Sequence, residues 1–232
     1  MATTNQLLLL DADDTLWENN IYFEQAVDEF LDFLAHSSMG PGEVRAVLDE
    51  IERANLLVHG YGAASFSRSL HDCYHRLAER PITDHDLLRV LGFGERILHQ
   101  DIELIAGVAE TIETLAARHR LVLLTKGHAE EQRLKVDRSG LADRFERAVI
   151  VPEKDAAVYR TVATELNADP DRTWMVGNSP KSDINPALEA GLNAVFVPHD
   201  RTWGLERQDL RPEAGPGRLL TVERFSDLLH HF

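Results

Sequence analysis

The chain has 232 residues, 44% hydrophobic and 27% charged, enough for one large globular domain or a domain with a sizeable insert. Its 39 acidic against 24 basic residues leave a formal charge of -15, which excludes a sequence-independent nucleic-acid binder and leaves any anionic substrate to be drawn in by local charge. A single cysteine, Cys73, rules out an intrachain disulfide, and no apolar run near the start is long enough for a secretory signal or a membrane span, so a cytoplasmic protein is expected.

The first element is Leu7-Leu8-Leu9-Leu10, an apolar run of strand length that predicts a strand buried on both faces. It runs into Asp11-Ala12-Asp13-Asp14-Thr15, and two carboxylates one residue apart at a strand end call for a cationic partner, a divalent hard cation being the natural one. Alone, such a pair also fits a capped turn before a helix. From about residue 21 to 100 no strand is evident. Helical stripes occur instead, at Phe23, Val27, Phe30, Leu31 and Leu34, at Val44 to Ile51, at Phe66 to Leu77, and at Leu87, Leu88 and Leu91. Gly40-Pro41-Gly42, Gly60-Tyr61-Gly62 and Arg80-Pro81 punctuate them, which predicts a small helical bundle.

From about residue 105 strand and helix alternate. Apolar runs at Leu121–Leu124, Ala148–Val151, Trp174–Val176 and Ala194–Val197 are separated by helical stretches near 108–118, 128–138, 155–166 and 183–190. This pattern predicts a parallel sheet with right-handed crossovers that takes in the first strand as well. The expected fold is therefore α/β, a doubly wound parallel-sheet (Rossmann-like) core of residues 1–16 and 104–232 with an inserted α-helical bundle of residues 17–103.

Polar residues follow each predicted strand. Asp11 and Asp13 follow the first, Thr125 and Lys126 the second, Lys154 the third, and Asn178 to Asp183 the fourth. In a parallel sheet these ends share one edge, where ligands bind. Carboxylates for a metal, a hydroxyl and a lysine cation on that edge suit phosphoryl transfer, which asks mainly for positioning and charge neutralisation. Read singly, Thr125 is a helix cap and Lys154 a surface lysine, with Lys126 and Lys181 as rivals for the cation; Asp183 also fits a cap for the helix after it.

Taken together the set resembles the haloacid dehalogenase superfamily, whose phosphatases carry D-x-D-x-T, a Thr or Ser, a Lys and a final acidic motif in this order. Here these read Asp11-Ala12-Asp13-Asp14-Thr15, Thr125, Lys154 and Gly177-Asn178 through Asp183. A helical cap between the first two motifs is also a family arrangement, and the resemblance spans nearly the whole chain. It implies Asp11 as nucleophile and Asp13 as general acid/base, with Thr125, Lys126 and Lys154 on the substrate side and Thr15 steadying the turn. It further implies Mg²⁺ held by Asp11, Asp13 through its backbone carbonyl, Asp183 and Asn178. Asn178 stands where the family has an acid, so one negative charge fewer is expected around the ion. Trp17, at the entrance to the cap, fits substrate selection or packing equally.

The resulting expectation is an Mg²⁺-dependent hydrolase of a small phosphorylated metabolite, monomer or homodimer, binding neither nucleic acid nor membrane. A phosphomutase or 2-haloacid dehalogenase of the same fold stays open, as does a non-catalytic phospholigand-binding module.

Overall fold

A computed structural model describes residues 5–232. Among the described residues six strands, β1 (Leu7–Leu10), β2 (Arg120–Lys126), β3 (Arg147–Val151), β4 (Thr173–Gly177), β5 (Asn193–Phe196) and β6 (Leu219–Thr221), form one sheet in the order β3-β2-β1-β4-β5-β6. Every pairing is parallel, so all strand ends of one polarity lie on a single edge. β1 sits between β2 and β4, and its four leucines are buried.

Period-2 alternation explains why the run is apolar throughout. Leu8 and Leu10 pack in one layer with Val108, Ile112 and Leu115 of α5 (Val108–Ala116) and Val136 of α6 (Ala129–Arg138). Leu7 and Leu9 pack in the opposite layer with Tyr159 and Val162 of α7 (Ala156–Glu165) and Ala187, which belongs to the last helix of the core, Asn185–Glu189. The expected doubly wound sheet is present, with helices on both faces. β6 is the one strand the sequence does not announce: it is three residues long and follows Gly215-Pro216-Gly217. At Gly217 a Cβ would overlap the backbone carbonyl of Leu192, so the chain can run close to that turn only because the residue has no side chain.

The chain divides into two compact units, one comprising the stretch up to Asn20 with Ile102–Phe232, the other Ile21–Asp101. The first boundary thus follows Asn20 rather than residue 16. Trp17 is fully buried in the sheet unit and its backbone bridges to Asp13 and Leu104, which holds the start of the insert's connection in that unit.

The second unit is helical. Its helices are α1 (Asn20–Leu34), α2 (Pro41–His59), α3 (Ala63–Leu77) and α4 (Asp84–Glu95), packed around Val27, Phe30, Leu48, Phe66, Leu70 and Phe93. The last stripe is displaced from its expected register. α4 buries Val90 and Phe93, whereas Leu88 is 70% exposed, because the Phe93 ring packs edge-on to Phe33 at 5.9 Å and so sets the helix's rotation. Among the described residues no helix is long and apolar enough to cross a membrane.

Candidate active site

The C-terminal edge of the sheet carries the charged groups. Asp11 N donates to Val176 O at 2.9 Å, which extends the β1–β4 ladder by one residue and fixes the Asp11 backbone at that edge. Its carboxylate is held at both oxygens: Lys154 Nζ lies 2.5 Å from Oδ1, and Thr15 Oγ1 donates to Oδ2 at 2.9 Å. The same ammonium stands 2.8 Å from Asp183 Oδ1, while Ser179 N donates to Asp183 Oδ2 at 2.9 Å. Three residues from three strand ends therefore share one buried point. Gly177 makes room for it, since a Cβ there would fall on the Asp183 carboxylate.

Burial by itself would lower the Lys154 ammonium, but Asp11 and Asp183 outweigh it and hold the group above its ordinary value. Asp183 is pushed up, first by burial and then by the charge of Asp11, against the pull of Lys154 and Ser179 N. Two buried carboxylates around a single ammonium leave one negative charge in excess. Their donor atoms are all oxygen, so the chemistry of the set fits a hard divalent cation such as Mg²⁺.

Asp13 is held separately. Trp17 Nε1 donates to its Oδ1 at 2.8 Å and Gln132 Nε2 to its Oδ2 at 2.8 Å. Lys135 Nζ lies 2.9 Å from both oxygens. Burial works to raise this carboxyl, yet the Lys135 charge and these donors overcome it and leave Asp13 below the usual carboxylate range. Thr125, buried in β2, donates Oγ1 to Gln132 Oε1 at 3.4 Å.

Two expected site residues are engaged elsewhere. Lys126, expected on the substrate side, donates Nζ to Glu206 Oε1 at 2.7 Å and to Ser182 Oγ at 2.8 Å. Glu206 comes from a short 3-10 turn, Gly204–Glu206, and also accepts from Ser179 Oγ at 2.7 Å and Ser182 Oγ at 2.5 Å. Asn178, expected as a metal ligand, uses both ends of its amide inside the protein. Its Nδ2 donates to Thr202 Oγ1 at 2.9 Å, its backbone N donates to Thr15 Oγ1 at 3.2 Å, and its Oδ1 lies 3.3 Å from the same hydroxyl. With no net charge to offer, the side chain braces Thr15 and, through it, Asp11.

Gln132, Lys135 and Glu206 escape the sequence reading. The α6 pair looks like a solvated helical face, and Glu206 lies beyond every motif. One signal was available, since Gln132 and Lys135 are three apart and so share a helix face just after the second motif. A further group, Asp14, Glu18 and His199, brings one ligand atom from each within 4.8 Å of the others. Arg201 N donates to His199 Nδ1 at 3.3 Å, which leaves the ring proton of a neutral His199 on Nε2, 3.4 Å from Glu18 Oε2. That contact ties the 199–202 turn to the first loop.

A family model described as haloacid dehalogenase-like hydrolase matches residues 6–191. A phosphoserine phosphatase from Thermus thermophilus is 30% identical over 154 residues, 53% of this chain and 59% of that protein. The pyrimidine 5'-nucleotidase YjjG from Escherichia coli is 27% identical over 99 residues, 40% of this chain and 44% of that protein. The matches thus span about half the length of these curated relatives. Among solved structures, a haloacid dehalogenase-like family hydrolase from Xanthomonas campestris superposes with a TM-score of 0.83 at 32% identity, covering 98% of this chain and 90% of that one.

Proposed function

The chain belongs to the haloacid dehalogenase-like hydrolase family, and we propose that within it the protein is an Mg²⁺-dependent phosphatase of a small phosphorylated metabolite. The observation that carries this reading is the shared Lys154 ammonium, 2.5 Å from Asp11 and 2.8 Å from Asp183. The phosphatase relatives favour phosphomonoester over carbon–halogen chemistry. So does Asp13, a second carboxyl group that a dehalogenase of this fold does without.

In this reading an Asp11 oxygen attacks phosphorus. The bond to the leaving oxygen breaks with its electron pair, and that oxygen takes a proton from Asp13, which enters this step protonated although its surroundings favour the ionised form. Water then attacks the aspartyl-phosphate, giving its proton to Asp13, and the P–O bond to Asp11 breaks to release inorganic phosphate. Lys154 orients Asp11 and offsets the charge of the phosphoryl oxygens, and the Thr125 hydroxyl turns its proton from Gln132 Oε1 to one of them. Asp11, Asp183 and the backbone carbonyl of Asp13 would hold Mg²⁺, which when bound supplies the positive charge that cancels repulsion between carboxylates and substrate.

The test is a panel of phosphorylated metabolites and aryl phosphates, assayed with Mg²⁺ and after exhaustive chelation. Phosphate release that stops on chelation and returns with Mg²⁺ is expected. Metal-independent halide release from a 2-haloacid, or an isomerised sugar phosphate in place of free phosphate, would overturn the proposal.

A further inference from the structure

We infer that Lys135 and Gln132 of α6 are positioning residues for Asp13, and that Gln132 joins this acid/base to the hydroxyl of Thr125. The inference rests on the phosphatase reading above and assigns residues outside its motifs.

Gln132 and Lys135 are three apart and project from one face of α6. Gln132 is 5% exposed, a degree of burial unusual for glutamine, and it spends its amide on two partners. Nε2 donates to Asp13 Oδ2 at 2.8 Å, and Oε1 accepts from Thr125 Oγ1 at 3.4 Å. An ionised carboxylate only accepts, so the amide's NH₂ must face Asp13 and its oxygen must face Thr125. One rigid group thereby sets the spacing between the proposed proton donor and the proposed phosphoryl-binding hydroxyl.

Lys135 completes the clamp. Its ammonium reaches both Asp13 oxygens at 2.9 Å and is steadied by Asn19 Oδ1 at 2.7 Å. Trp17 Nε1, 2.8 Å from Oδ1, closes the remaining side. The carboxylate is thus gripped from the first loop and from α6, by more donors than charge balance alone requires. These donors favour the ionised carboxylate, so what they contribute to leaving-group protonation is placement: proton transfer depends steeply on geometry, and the clamp fixes where Asp13 stands once it carries the proton.

The discriminating quantity is kcat/KM, which reports the step in which the leaving group departs. Phenyl phosphate, with a poor leaving group, needs the proton; 4-nitrophenyl phosphate, with a good one, needs it far less. For Lys135→Met, kcat/KM on phenyl phosphate should fall about 100-fold, while the loss on 4-nitrophenyl phosphate stays under about tenfold. Gln132→Met should show the same bias, and Lys135→Arg should recover most of the phenyl phosphate rate. Equal losses on both substrates, or an arginine variant no better than the methionine one, would overturn the inference while leaving the phosphatase reading intact. Wild-type protein inert toward both substrates would remove that reading and this inference with it. Should Lys135→Met fail to fold, the arginine and Gln132 variants carry the comparison alone.

Discussion

Glu206 Oε1 lies 2.7 Å from Lys126 Nζ, and this contact takes up the cation that follows Thr125 directly in sequence. Burial alone would raise the Glu206 carboxyl. The Lys126 charge and the hydroxyls of Ser182 and Ser179 overcome it and hold the group at about 2, against an ordinary 4.5. A carboxyl depressed on folding contributes stability that is complete above the ordinary value and disappears as pH falls through the folded one. Glu206→Gln should therefore lower the free energy of unfolding by about 2 kcal/mol at pH 7, the range for hydrogen bonds to charged groups. Urea titrations at several pH values should show this gap narrowing below about pH 4.5. A gap that stays constant with pH would show that the loss is not electrostatic.

Asp11→Asn should abolish hydrolysis of 4-nitrophenyl phosphate and leave the protein folded. The amide oxygen still accepts from Lys154 Nζ, its NH₂ can face Thr15 Oγ1, whose proton has Asn178 Oδ1 as its other acceptor, and the crowding of negative charge beside Asp183 is relieved, so thermal stability should hold or rise. Turnover above about one per cent of the wild-type rate, against the several orders of magnitude a nucleophile supplies, would remove Asp11 from that role.

Asp183 offers a pH test with the opposite sign. Its carboxyl is raised on folding from 3.8 to about 7, by burial first and then by Asp11. Stability from a raised acid is complete below the ordinary value and is lost as pH rises through the folded one. In chelator, the unfolding free energy of the wild type should fall more steeply between about pH 4 and 7 than that of Asp183→Asn. Parallel pH profiles for the two proteins would contradict the cost assigned to this buried charge.

Gly177→Ala should be destabilising by about 2 kcal/mol, in the range for overpacking a closed site. The added methyl falls where the Asp183 carboxylate sits, so hydrolysis should drop together with the melting temperature. An alanine variant with unchanged activity and stability would mean that Asp183 can move without consequence.

Much of this architecture is legible in the residues, for a physical reason in each case. Leu7–Leu10 is apolar at every position because β1 is covered on both faces, and that continuity marks the central strand. The convergence of Asp11, Lys154 and Asp183 follows from a rule of parallel sheets, that strand ends of one polarity share an edge. What stayed hidden depends on long-range pairing. Gln132 and Lys135 have the composition of a solvated helix face, and only the fold brings Asp13 against them. Glu206 belongs to a stretch without periodicity, and nothing in its neighbours announces a buried partner at Lys126. Trp17 reads as part of the insert because it follows the motif, yet its ring closes the sheet unit's own core.

The placement of Ile21–Asp101 between two neighbouring strands has a consequence for how the gene product can vary. β1 must find β2 across that whole segment, pairing Leu7 with Arg120. Closing a loop costs entropy that grows only with the logarithm of its length, about 0.6 kcal/mol for each doubling. Lengthening, trimming or exchanging that segment is therefore thermodynamically cheap for the sheet, which leaves descendants of one hydrolytic scaffold free to diversify there first.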